Sequence, residues 1–196
     1  MIEFPDNIAP NGATPTLVDY GGVLRSAIGG ASQKIDRLGS RFRVEFTFPP
    51  MEEVDGRIFV SRAIRAKREG LRMEYPLLSV DQGLPGAPKV SGAGQTGFTL
   101  IAKGFTPNYV GKEGYWFSIE RAGQHYLHNV SANFAANAVG AATISIFPAL
   151  RIPFLDNDIL HFNKPMIEGL VDGDEMGWQM SLAHHIQFSI TIEESR

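Results

Sequence analysis

A chain of 196 residues, 43% hydrophobic and 20% charged, belongs to a globular protein of one or two domains with enough length to bury a real core. Its net charge of −3 gives no basis for a nucleic-acid partner, and the absence of Cys excludes disulfides, thiolate nucleophiles and Cys-ligated zinc. Met1-Ile2-Glu3-Phe4-Pro5 lacks the basic and apolar regions of a signal peptide, and no apolar run reaches membrane-spanning length. The expectation is a soluble protein made in a cytoplasm, with no membrane partner.

Residues 1–40 carry little regular signal. Pro5, Pro10, Pro15 and the pairs Gly21-Gly22 and Gly29-Gly30 interrupt any helix. The segment reads as an extended arm with one short strand at Thr16–Tyr20. Phe42–Phe48 is the first clear strand: Phe42, Val44, Phe46 and Phe48 fall on one side, and Arg43, Glu45 and Thr47 on the other. Pro49-Pro50 ends it. Met51–Glu69 then reads as a helix, with Glu52 and Glu53 in its first turn, Arg65, Lys67 and Arg68 in its last, and Gly70 just beyond. Met51, Val54 and Ile58 share one face, while Phe59 and Val60 point elsewhere, as in a helix with neighbours on more than one side. The basic run from Arg57 to Arg68 reads as a solvated face.

Leu71–Leu78 alternates like a strand with Pro76 near its end. Asp81–Pro88 is a turn-rich linker and marks a boundary. Beyond it, strands recur about every ten residues with turns between them. Phe98–Ala102, a hairpin of Tyr115–Ile119 and Gln124–Val130 across Arg121-Ala122-Gly123, Ala141–Phe147 with Ile144 and Ile146 inward, and Asn157–Phe162 make up a small antiparallel barrel or sandwich. Met166–Leu170 and Met176–Met180 are further short strands. The chain closes on a second clean alternation, in which Ile186, Phe188, Ile190 and Ile192 oppose Gln187, Ser189, Thr191 and Glu193. The two cleanest strands lie near the start and at the end, and the central expectation is that they share one sheet. The fold class is therefore mainly β with one helix. Residues 1–83 and 166–196 form a sheet-and-helix domain completed by the C-terminal strand, and residues 84–165 form an inserted barrel-like domain.

The residues that often carry chemistry do not converge. Gly92, Gly94 and Gly97 match a dinucleotide-binding spacing, but a strand-like segment follows them where a helix is required. His125 and His128 fall on opposite strand faces, as do His184 and His185, and His161 lies alone in its strand, so no metal site is expected. Asp156-Asn157-Asp158 and Asp172-Gly173-Asp174-Glu175 lack calcium-loop spacing and read as turns. Ser26, Ser32 and Ser91 have no base partner in sequence. No catalytic or cofactor-binding residue is assigned, and the chain is not expected to be an enzyme. Tyr109, Tyr115, Trp116 and Trp178 leave open an alternative: a carbohydrate-binding module for host-surface recognition. A hydrolase of cell-wall sugar chains is a more distant one.

An ordered set of phrases resembles another class. They are Gly29–Gln33 leading into Arg41–Phe48; Pro49-Pro50-Met51 opening a helix that contains Ile58-Phe59-Val60; Val90–Leu100; and Gly114–Val130. Asn137–Arg151 and the terminal Ile192-Glu193-Glu194 complete the set. Together they resemble tail-tip structural proteins of long-tailed, non-contractile bacteriophages and prophages, of the distal-tail or minor-tail type. The resemblance implies a virion tail protein assembled in the bacterial host cytoplasm. It would form a ring, commonly hexameric, that joins the tail tube to the distal hub. The implied partners are further copies of the chain, the tail tube protein and tail hub or tip proteins, with no cofactor. Free sheet edges and arms would supply the ring contacts. Phe59, Tyr109, Tyr115 and Trp116 are the expected interface residues, with the tip of the inserted domain near Tyr109–Trp116 facing outward.

Overall fold

A computed structural model describes residues 1–35, 37–182 and 184–195. The alternation at residues 42–48 is realised as a strand with one dry face. Val44 and Phe46 are fully buried and Phe48 nearly so, while Glu45 and Thr47 are exposed. Each such aromatic or branched side chain contributes roughly 1.5–3 kcal/mol by leaving water. The principal strands are β1 (Gly12–Val18), β2 (Arg41–Thr47), β3 (Leu71–Glu74), β4 (Gly86–Val90), β5 (Gly97–Phe105) and β6 (Trp116–Arg121). They continue with β7 (Gln124–Val130), β8 (Ala142–Leu150), β9 (Ile159–His161), β10 (Met166–Val171) and β11 (Ser189–Glu194). The helix α1 spans Glu53–Glu69.

Two β-structures result. An open five-stranded sheet has the order β1-β2-β11-β10-β3, and a closed barrel has the order β6-β7-β8-β5-β4-β9. The first and last clear strands of the sequence are direct antiparallel neighbours, with Val44 opposite Ile192 and Phe46 opposite Ile190. The sheet's strands come from before Glu74 and after Met166, and the barrel is formed by the chain between them. The β6–β7 hairpin turns at Ala122 and Gly123, with φ of 52° and 79°. Two consecutive positive φ values give the turn whose twist matches antiparallel strands.

The N-terminal segment is more ordered than its composition implies. β1 pairs along the whole of β2, from Gly12 opposite Thr47 to Val18 opposite Arg41. Pro15 is tolerated because β1 is an edge strand with a ladder on one side. Gly22–Leu24 and Gln33–Ile35 form a separate two-stranded hairpin. The long terminal strand expected at Leu182–Ile192 is broken: His185–Gln187 pairs with Gln179–Met180 and Met51–Glu52, and β11 begins at Ser189.

The helix stops where its charges place it, with Gly70 N–H donating to the Ala66 carbonyl at 2.8 Å. It starts at Glu53 and not Met51, because Met51–Glu52 pairs as a strand with His185 and Ile186. Its inward face differs from the expected one. Gly56, Phe59, Ala63 and Ala66 are buried, whereas Val54 and Ile58 are 65% and 43% exposed. Phe59 dictates this rotation. It stacks on Phe4 at 4.9 Å and meets Phe48 edge-on at 5.4 Å. Gly56 belongs to the same contact, because a Cβ there would lie 2.6 Å from Ile186 Cβ. The basic residues of α1 find local partners, among them Arg65 with Glu69 at 3.2 Å and Arg62 with the Glu3 carbonyl at 2.7 Å.

One barrel core holds Phe105, Tyr109, Phe117, Phe134 and Phe162 among its residues. The second core belongs to the sheet's inner face and takes in α1 at the Phe48 end and the outer side of the β6–β7 hairpin, through Trp116 and Leu127, at the Phe42 end. The sheet therefore buries one face under two different covers.

Candidate assembly surface

The two edges of the sheet differ. The β3 edge is covered by the chain's own start: Ile2 N–H donates to the Gly70 carbonyl at 3.0 Å, and Arg72 N–H donates to the Ile2 carbonyl at 2.9 Å. The expectation of free edges thus fails on this side. The outer side of β1 pairs with no strand among the described residues, and Leu17 on it is 42% exposed. Pro15 removes one donor from that edge, which limits how far another strand can add to it.

Beyond β1 lies the Gly22–Ile35 hairpin. Val23, Leu24 and Ile28 are 56%, 58% and 94% exposed. An isolated two-stranded hairpin is marginal by itself, and this one turns its apolar side chains to solvent. Its base is anchored. The Asp19 carboxylate accepts from Gly21 N–H at 2.8 Å and Ser40 Oγ at 2.7 Å, and these bonds, the Gly21 one first, lower its pKa. Arg41 covers the Tyr20 ring at 5.1 Å and donates to its hydroxyl at 3.0 Å. A groove of about 660 Å³ opens beside this anchor, between Tyr20 and Leu38 on one side and Arg151 and Ile152 of the barrel on the other.

The sheet's outer face is polar. Arg41 and Arg43 converge on Glu193 at 2.5 and 2.6 Å, and Asp172 lies 3.4 Å from Arg43. Behind them, Glu194 is wholly buried between sheet and barrel. It accepts from Phe42 N–H and Leu127 N–H, each at 2.8 Å, and pairs with buried Arg151 at 2.7 Å. One carboxylate thereby joins the strand β2, the barrel hairpin and the end of β8. Next to it inside the barrel, His128 donates from Nδ1 to the Pro148 carbonyl at 3.1 Å. Burial, followed by the nearby Arg151 charge, pushes its pKa down to about 3.

The four expected interface residues are placed elsewhere. Phe59 is fully buried under its own sheet, since the helix turns that side inward. Tyr109 is 8% exposed; its ring stacks on Phe105 and its hydroxyl donates to the Gln82 carbonyl at 2.6 Å. Desolvation raises its pKa to about 12. Tyr115 is also buried and donates to the Asp81 carbonyl at 3.2 Å. Trp116 is half-buried between Phe42, at 4.9 Å, and Tyr75, at 4.4 Å. The segment expected to face outward therefore folds back on the Asp81-Gln82 linker and the sheet. The same placement removes three members of the aromatic platform; Trp178 alone remains largely accessible, at 41%.

The other motifs resolve as local structure. Gly92–Gly97 is a turn held by Gln95, whose amide donates to the carbonyls of Ser91 and Ile101 and whose oxygen accepts from Ile101 N–H. Asp156 accepts from Gly92 N–H and Lys103, and Asp158 accepts from Leu155 N–H. Among the described residues, no helix is long and apolar enough to cross a membrane.

What sequence reasoning missed is the hairpin at residues 22–35. Its signal was available in Val23-Leu24 and Ile28, apolar residues set in an otherwise polar, glycine-rich stretch. No family model and no curated protein matches the chain.

Proposed function

We propose that this chain is a structural subunit of a siphophage tail tip, forming a ring that joins the tail tube to the distal hub. The observation that carries the reading is the Gly22–Ile35 hairpin, anchored at its base yet presenting Val23, Leu24 and Ile28 to solvent. Apolar side chains on such a projection lose water only against another molecule. The groove lined by Tyr20, Leu38 and Ile152 lies at the base of the same arm and supplies a landing site on an identical copy. Arm and groove are different patches, so the contact is heterologous, and repeated contacts of this kind close into a ring when the rotation permits. The resemblance of the ordered phrases to distal-tail and minor-tail proteins supports the same role.

The test is light scattering and negative-stain microscopy of the purified chain at high concentration, alone and with a tail-tube partner. Rings are expected, and the pair Leu24→Lys and Ile28→Lys is expected to abolish them while changing monomer stability by no more than about 0.5 kcal/mol. A chain that stays monomeric in both settings, or rings indifferent to the arm substitutions, overturns the reading.

A further inference from the structure

The strand registers bring together three side chains that the sequence keeps apart. Glu120 on β6 lies directly opposite His125 on β7. His161 on β9 lies opposite Ser118, two residues from Glu120 and on the same outer face of the barrel. One ligand atom from each of Glu120, His125 and His161 lies within 4.8 Å of the other two. His161 Nε2 is 2.8 Å from Glu120 Oε2, and the two imidazole centroids are 5.0 Å apart.

We propose that Glu120, His125 and His161 form a binding site for a divalent first-row transition metal of the zinc class. Two imidazole nitrogens and one carboxylate oxygen suit zinc, whereas calcium and magnesium favour sets made of oxygen. The burial is graded as a site requires. His125 is 6% exposed, while the side chains of Glu120 and His161 are 33% and 32% exposed. A metal can thus enter from the solvent side.

The supporting groups are ordered. Ser118 Oγ lies 3.2 Å from His125 Nδ1 and accepts from Met166 N–H at 3.0 Å. A proton on Nδ1 donated to Ser118 leaves Nε2 as the nitrogen with a free lone pair, the arrangement that fixes metal-binding imidazoles. Buried Glu168 accepts from Arg72 Nε at 2.7 Å and from His125 N–H at 3.4 Å. Arg72 is thereby held against carboxylates of its own, Glu168 at 2.7 Å and Glu3 at 3.2 Å.

The experiment uses the tag-free full chain, treated with a chelator and titrated with zinc chloride by calorimetry, with native mass spectrometry for stoichiometry. One saturable zinc ion per chain and a raised Tm are expected. His161→Ala, at the more exposed of the two histidines, is expected to weaken binding roughly tenfold or more without changing the metal-free Tm. Glu120→Gln gives a second, fold-preserving reduction. The exposed pair His184→Ala and His185→Ala is expected to leave the affinity unchanged. Absence of saturable binding, or binding that survives His161→Ala and disappears in the His184/His185 variant, overturns the site and leaves Glu120–His161 as an ordinary hydrogen-bonded pair.

Discussion

The barrel and the sheet solve the same problem differently. Every barrel strand has a neighbour on both sides, and the interior is packed with aromatics: Phe117 stacks on Phe162 at 4.7 Å, and the hydroxyls of Tyr109 and Tyr115 reach the Gln82 and Asp81 carbonyls of the linker. The sheet remains open. It borrows cover from the helix at one end and from the barrel at the other, protects one edge with Ile2, and leaves the other beside a projecting apolar hairpin. A closed barrel has no edge to manage. On the proposed reading, the difference puts association in the sheet domain and gives the barrel the part of a cover.

The sharpest way to break that division is at the seam. Glu194→Ala removes the partner of buried Arg151 and the acceptor of two backbone N–H groups. A loss of about 3–5 kcal/mol is expected in urea unfolding, because an unpaired charge stays behind in the interior. A loss under about 1 kcal/mol would show that sheet and barrel are held together by apolar contact alone.

A smaller effect tests how the helix covers the sheet. Helix propensity alone expects Gly56→Ala to stabilise by about 1 kcal/mol. The 2.6 Å approach of the new Cβ to Ile186 Cβ reverses that sign, with an expected loss of about 1–3 kcal/mol by the same measurement. A gain in stability would mean that α1 does not sit this tightly on the His185–Gln187 segment.

At neutral pH the smallest effect comes from inside the barrel. His128 is neutral in the folded chain, with its pKa lowered from 6.5 to about 3, so the unfolded chain binds the extra proton between those values. Its contribution is fully present above pH 6.5 and is lost progressively as pH falls toward 3. Between pH 7 and pH 5 the loss is about 2 kcal/mol, and His128→Leu is expected to remove that share of the pH dependence in unfolding curves. An unchanged slope would show that His128 is protonated or hydrated in the folded barrel.

Much of the architecture was readable because alternation reports directly on a half-buried strand. β2, β11, the β6–β7 hairpin, and Ile144 and Ile146 facing inward all follow from period-two patterns and turn residues. β1 was less readable, because an edge strand with Pro15 and one paired side carries only a weak pattern. The helix face was misread for another reason. Val54 and Ile58 share a stripe with Met51, but the sheet beneath is rich in phenylalanine, and Phe59 with the small residues Gly56, Ala63 and Ala66 fits it more closely. Along their single strand His125 and His128 do face opposite ways. The grouping of His125 with Glu120 and His161 is a cross-strand fact.

The sequence by itself determined the strands β2, β6, β7 and β8 and the end of the helix. Periodicity and end signals act within about ten residues, so local chemistry is enough to set them. Only the tertiary structure decided that Tyr109, Tyr115, Trp116 and Phe59 turn inward and that the arm stays out. It alone brought Glu120, His125 and His161 together. Those outcomes depend on which surfaces meet across long stretches of chain, and a side chain's own pattern carries no record of its distant neighbour.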